Sequence, residues 1–199
     1  MCLFKPKTNG HGYIDLKLPS KTLWAAFNVG ANSETEFGDH FAWGETEPKK
    51  DYSWNTYKFG GMETFTKYNG EDGKTVLDLE DDAARVHMGG KWHMPTAEDY
   101  KELVENTTSA YTEISGVTCT VLTSKRNGRK IVFPACGFYE DDHLWYSGQY
   151  IDLWTSSLDT FGPTYSYGAY GDEYTFDTWA NYYYPGRCNG HCVRGVIKR

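Results

Sequence analysis

Between residues 131 and 186 the chain carries no lysine or arginine, while aromatic rings recur every few residues from Phe138 to Tyr184. Carboxylates run through the same stretch: Glu140, Asp141, Asp142, Asp152, Asp159, Asp172, Glu173 and Asp177. A segment this rich in rings does not stay disordered, because disordered chains are poor in aromatics. It is also too interleaved with Gly, Ser, Asn and Asp to be one buried block. Strands and loops that divide their rings between a core and a surface are the remaining solution. The 199-residue chain as a whole is 17% aromatic and 39% hydrophobic. Its length corresponds to one domain on a scale of ~100–200 residues each. No apolar run approaches the ~18 residues of a membrane span, so membrane insertion is not expected. The net charge of −7 lacks the basic field that nucleic acid requires, so no nucleic-acid partner is expected.

Residues 1–12 (MCLFKPKTNGHG) read as a lead segment without the ~7–15-residue apolar core of a signal peptide. Residues 13–199 read as a single domain. Five cysteines (Cys2, Cys119, Cys136, Cys188 and Cys192) cannot all pair internally, and a chain of this length needs no disulfide scaffold. Reduced thiols are expected.

Short apolar runs at residues 13–18, 23–29 and 39–44 read as strands, and the polar stretch 60–74 as a surface loop. Residues 80–88 read as a helix that stops at Gly89-Gly90. Residues 96–106 read as a second helix, with Thr96 and Asp99 forming a capping box. In it Tyr100, Leu103 and Val104 form the apolar stripe, and Glu98, Asp99, Lys101, Glu102 and Glu105 face water. Residues 117–124 and 131–135 flank Asn127-Gly128, the preferred centre of a type I′ hairpin turn. Arg126 opposite Arg129 would set Cys119 opposite Cys136, either oxidised to a disulfide or packing side by side as two small apolar residues. Trp24, Trp43, Trp92 and Trp154 are assigned to the scaffold, and Phe176 and Trp179 to the core. The tyrosines from Tyr165 to Tyr184, set among small polar residues, have the composition of a recognition surface. There tyrosine gives rigid contact area at small entropic cost.

Several segments in order (YIDLKLP at 13–19, LWAAFNVGA at 23–31, FGDHFAWGETEP at 37–48, EDDAA at 80–84, GGKWHMPTAEDYKEL at 89–103, VFPACG at 132–137, LWTSSL at 153–158 and NGHCVRGV at 189–196) resemble the Fibrobacter succinogenes major paralogous domain. The resemblance covers nearly the whole chain from residue 13. It implies an α+β, C-type-lectin-like fold related to the formylglycine-generating enzyme, with small antiparallel sheets, two helices and much loop. It also implies likeness to the variable proteins of diversity-generating retroelements, among them phage receptor-binding proteins and bacterial surface proteins. Their hypervariable positions lie in the C-terminal stretch. Adenine-directed mutation of Asn codons there cannot yield Lys, Glu, Gln, Met or Trp. From residue 158 to 197 only Glu173 and Trp179 belong to that excluded set.

Carried over, the resemblance places a variable binding segment at residues 161–192. Its candidate ligand contacts are Tyr165, Tyr167, Tyr170, Asp172, Tyr174, Asp177, Asn181, Tyr182, Tyr183, Tyr184, Arg187, Asn189 and His191. The implied function is non-enzymatic binding of a cell-surface protein or glycan, on a virion (phage tail) or bacterial surface, in a homo-oligomeric setting that adds avidity. No catalytic residue, metal or cofactor is expected. The acidic background favours neutral or basic targets. Two alternatives stand beside this reading. One is an oxidase of the formylglycine-generating type using Cys188 and Cys192, although their spacing is one residue shorter than that family's pair. The other is a structural surface domain without a specific ligand. Zinc at Cys188, His191 and Cys192 lacks a fourth ligand. Glu140, Asp141, Asp142 and Asp152 are read as a solvated acidic loop rather than a calcium site.

Overall fold

A computed structural model describes residues 6–62, 64–159, 162–179 and 186–199. The N-terminal half contains β1 (Lys7–Thr8), β2 (His11–Ile14), β3 (Leu23–Asn28), β4 (His40–Phe41), α1 (Ala83–Met88) and α2 (Ala97–Glu105). Then follow β5 (Thr107–Ile114), β6 (Val117–Ser124), β7 (Lys130–Pro134), β8 (Phe138–Glu140), β9 (His143–Trp145) and β10 (Ile151–Leu158). The chain closes with β11 (Ser166–Gly171), β12 (Phe176–Trp179), β13 (His191–Cys192) and β14 (Arg194–Ile197).

These strands form four sheets, ordered β1-β2-β3-β14, β12-β11-β10-β13-β4, β5-β6-β7 and β8-β9. The expected α+β class is therefore corrected: the described residues are mostly β, with 39% strand against 10% helix. Two local causes produce the shift. Asp82 breaks the expected first helix, leaving a 3₁₀ turn at Leu79–Asp81 and only six helical residues before Gly89, at φ 63°, ends it. Residues 107–114, polar and solvated, form an eight-residue strand that the hydrophobic pattern does not mark. Residues 7–8 pair with residues 11–12 at the edge of the first sheet, and Thr8 O accepts from Trp92 Nε1 (3.2 Å).

The second helix forms with the expected cap. Thr96 Oγ1 accepts from Asp99 N (3.2 Å), and Asp99 Oδ2 accepts from Thr96 N (2.9 Å). Asp99 does not face water as expected: it is buried and lies 3.2 Å from Lys198 Nζ. Thr96→Ala is expected to cost about 1 kcal/mol of stability by urea titration.

The hairpin register also differs. Ser115 (φ 52°) and Gly116 (φ 81°) make the two-residue turn, joining Ile114 to Val117. Both positive φ values are those of a type I′ turn. The Asn127-Gly128 connection is longer, because Ser124 Oγ accepts from two turn amides and Asn127 Nδ2 donates to Asp15 O (2.9 Å). Cys119 consequently faces Pro134 rather than Cys136. Cys136 lies beyond the strand, in a different apolar cluster.

β13 and β14 are separated by Val193 alone and knit the two larger sheets together. β13 pairs with β4 and, in parallel, with β10, while β14 pairs with β3. Trp24, Trp43, Trp92 and Trp154 are fully buried, as their assignment to the scaffold requires. Trp43 Nε1 donates to Thr155 O (2.9 Å), and Trp154 Nε1 donates to Phe41 O (2.7 Å), so the two indoles clamp β4 against β10. Phe176 is buried too.

The described residues between 60 and 74 form no helix or strand but are not merely a surface loop. Tyr68 is fully buried, with its ring centroid 5.0 Å from that of Trp43.

Candidate functional site

The turn after β7 gathers a run of rings. Gly137 has φ 60° and donates its N–H to Tyr150 O (2.8 Å). A Cβ on it would fall 2.0 Å from the Trp145 carbonyl oxygen, so only glycine fits. This approach folds the β8–β9 ribbon against the turn at residues 146–150, where Gln149 N and Tyr150 N both donate to Tyr146 O (3.0 Å each).

Two ring successions result. Trp145 meets Tyr146 at 6.2 Å between centroids, Tyr146 meets Tyr150 at 4.7 Å, and Tyr150 meets Tyr170 at 5.2 Å. From Tyr146 a second line passes to Phe138 (6.1 Å), then His191 (5.4 Å, 9° between planes) and Trp154 (4.1 Å). Gly137→Ala is expected to lower the melting temperature by several degrees, since the left-handed backbone and the clash each disfavour it. It should also disturb the Trp145 fluorescence, which reads the ribbon directly.

The rings wall a cavity of about 640 Å³, within the size range of small-molecule sites. Ile151 belongs to the core beneath and Leu153 to both the core and the cavity lining, while Asp152 lines the cavity opposite Tyr170 in the β10–β11 pairing. Asp152 Oδ2 is buried and has no hydrogen-bond partner among the described residues. Burial pushes this carboxyl up to about 7, because the charged form loses its water. His191 Nε2 is likewise buried without a partner among the described residues. Burial, and secondarily the nearby His40, hold that imidazole well below its ordinary value, so it is neutral at physiological pH. Tyr170 Oη donates to Asp172 Oδ2 (3.0 Å). Burial, with this carboxylate second, raises the phenol, which stays protonated.

Of the residues expected to contact ligand, Tyr165, Tyr170, Asn189 and His191 line the cavity. Tyr167 is half-buried on β11 outside the lining. Asp172 organises the β11–β12 turn, its Oδ1 accepting from Tyr174 N and Thr175 N (2.8 Å each). Tyr174 projects from that turn, 86% exposed, and Asp177 is exposed on β12. Asn181, Tyr182, Tyr183 and Tyr184 lie outside the described residues.

Arg187 is corrected from a contact residue to a core residue, because its side chain is fully buried. Its guanidinium donates to Tyr57 Oη (2.9 Å), Tyr68 O (2.9 Å), Pro163 O (2.8 Å) and Lys67 O (3.1 Å). It also stacks 4.4 Å from the Phe65 ring centroid.

Phe138, Glu140, Trp145, Tyr146, Tyr150 and Asp152 line the cavity although the expected segment began only at residue 161. Trp54 and Met62 contribute from farther away still. The available signal was the ring-and-carboxylate run from residue 138 to 152, which reads as a solvated loop if taken alone.

The thiols do not form the C-terminal pair that oxidase chemistry would use. Cys188 and Cys192 belong to different apolar clusters. Burial pushes Cys188 up to about 12 and Cys192 well above its ordinary range, the reverse of an activated thiol. Cys192 Sγ instead lies 3.5 Å from His40 Nε2. With Cys136 Sγ these ligand atoms fall within 4.8 Å of one another. Two thiols and an imidazole suit a soft metal, but binding would require Cys192 to lose a proton that burial retains. Asp78, Glu80 and Asp81 also converge. Lys67 Nζ bridges all three, at 2.7, 3.1 and 2.6 Å, so their charge is met by lysine.

Among the described residues, no helix is long and apolar enough to cross a membrane. The chain matches no protein-family model, no curated protein and no solved structure.

Proposed function

We propose that this chain is a non-enzymatic recognition module that binds a cell-surface protein or glycan in its ring-lined cavity, from a virion or bacterial surface. The observation that carries the reading is the unbroken succession of rings from Trp145 through Tyr146 and Tyr150 to Tyr170 around a cavity holding unpartnered polar groups. Rigid rings supply contact area, and a few polar atoms fix orientation. Trp145 and Tyr146 are 41% and 40% exposed, which leaves them available as anchors.

The test is a screen against displayed surface proteins and a glycan array, with wild type and a Trp145→Ala/Tyr146→Ala variant. A ligand that the wild type holds at least about tenfold more tightly than the variant is the expected result. A screen in which no ligand depends on these rings overturns the reading.

We extend the proposal to origin: a variable protein of a diversity-generating retroelement, supported by the composition of residues 158–197. An adjacent reverse transcriptase gene and a near-copy of the tail-coding DNA, carrying adenines at the candidate positions, are expected. Their absence removes the origin and leaves the cavity reading intact.

A further inference from the structure

We propose that the cavity is built for an organic ammonium group, with Asp152 as its counter-charge and the faces of Tyr150 and Tyr170 as its walls. The proposal rests on the recognition reading above and names the chemistry of the ligand.

Three observations carry it. Asp152 lines the cavity, and its Oδ2 is buried with no donor among the described residues. An ionised carboxylate in that setting is costly until a cation or donor reaches it. Secondly, the described lining holds Glu140 and Asp152 but no lysine or arginine. The chain's nearby cations are committed elsewhere. Lys49 pairs with Glu45, Lys58 and Lys67 with Asp81, and Arg187 and Arg194 each donate four hydrogen bonds to neutral acceptors. Thirdly, the groups flanking Asp152 are aromatic. Tyr170 stands opposite it across the strand pair, with Tyr150 5.2 Å from Tyr170 between ring centroids. Ring faces attract a cation electrostatically, more strongly where water is excluded.

His191, held neutral, adds no repulsion. A neutral polyol would hydrogen-bond to Asp152 but leave its charge uncompensated, and an anion would meet two carboxylates. An ammonium that retains N–H bonds satisfies both the charge and the orphan acceptor, whereas a quaternary ammonium satisfies only the charge.

The probes are benzylammonium, benzyl alcohol, benzoate and benzyltrimethylammonium, titrated against the full chain near neutral pH and followed by NMR and calorimetry. Benzylammonium is expected to bind at least about tenfold more tightly than benzyl alcohol and several-fold more tightly than benzyltrimethylammonium, with benzoate weakest. Asp152→Asn is expected to remove the preference for the ammonium, so that benzylammonium and benzyl alcohol bind within about twofold of each other.

Equal or tighter binding of the alcohol overturns the cation proposal and leaves the cavity as a ligand site. An ammonium preference that survives in Asp152→Asn, or equal binding of the quaternary probe, overturns the role of Asp152 as an N–H acceptor. Failure of all four probes at millimolar concentration overturns the ammonium site, while the recognition reading stands or falls by the screen above. The quaternary comparison uses wild-type protein and so holds whatever the variant's folding.

Discussion

Replacing Arg187 by leucine is expected to destabilise the protein by about 3–5 kcal/mol, toward the low end of what three buried carbonyls left without a donor would cost. At ~2–4 °C per kcal/mol for a chain of this size, the melting temperature should fall by about 10 °C. The cost does not come from a broken ion pair, because the guanidinium meets three backbone carbonyls and a tyrosine hydroxyl rather than a carboxylate. Leucine fills much of the stem's volume but leaves Lys67 O, Tyr68 O and Pro163 O facing an apolar group. Each buried polar atom left without its partner costs about 1–3 kcal/mol, less whatever water can reach it. Lysine should recover only part of the loss, since a compact ammonium cannot span acceptors placed for a planar fork. A second consequence separates this account from simple core packing. Arg187 N donates to Thr164 O (3.2 Å), and Trp43 N donates to Arg187 O (2.8 Å). The residue thus ties Thr164, Gly186 and Asn189, all lining the cavity, to the loop at 57–68. Amide exchange in the Arg187→Leu variant should accelerate at residues 57–68 and 186–191 before it does in β5 or β6. Uniform acceleration across the chain would refute the tie.

What the sequence made legible is what local chemistry decides. The helix at Ala97–Glu105 formed with its cap because Thr96 and Asp99 satisfy each other's amides within one turn. The strand at Leu23–Asn28 followed from an apolar run between turn residues. The two hairpin turns show where local chemistry stops deciding. Asn127-Gly128 and Ser115-Gly116 both carry turn residues. The first is drawn out because Asn127 and Ser124 bond to Asp15 O and Leu16 O, more than a hundred residues away in sequence. Arg187 reads as a ligand contact, and the burial of Arg194 goes unread, for the same reason. Their acceptors are backbone carbonyls from distant segments, which side-chain patterning cannot announce. The site was half legible. Tyr165, Tyr170, Asn189 and His191 sit in the stretch whose composition points to recognition, but Phe138 to Asp152 join them only through the fold of the ribbon onto β10 and β11. The sequence of β10 sets Asp152 between Ile151 and Leu153, yet does not show whether it meets water or a cavity.

Asp152→Asn is expected to raise the melting temperature at about pH 8 by about 10 °C while leaving it nearly unchanged below about pH 4. The sign follows from the direction of the shift. The folded-state carboxyl titrates at about 7, against about 3.9 in an unfolded chain. Between those values the unfolded state has released a proton that the folded state retains. The stability linked to this proton is therefore fully present below the unfolded value and is lost as pH rises through about 7. Three units correspond to about 4 kcal/mol at 1.36 kcal/mol per unit, and partial accessibility of the side chain reduces this to about 3 kcal/mol. Asparagine keeps the shape and cannot ionise, so it escapes the loss.

Other groups titrate alongside, and the difference between variant and wild type isolates Asp152 from them. His191 and His40, both depressed chiefly by burial, act in the opposite sense: they favour folding as pH rises toward the ordinary imidazole range. Asp82, raised by burial at the cap of α1, acts in the same sense as Asp152. Thermal melts of both proteins from about pH 4 to pH 8 should give curves that coincide at the acid end and diverge steadily above about pH 5. Parallel curves across the whole range would mean that Asp152 is ionised at its ordinary value and well solvated. In that case the cavity would hold no charge in need of a partner, and both this prediction and the ammonium site would fall together. Divergence would locate the energetic cost of the site in one carboxylate, kept on a strand face that asparagine would occupy more stably.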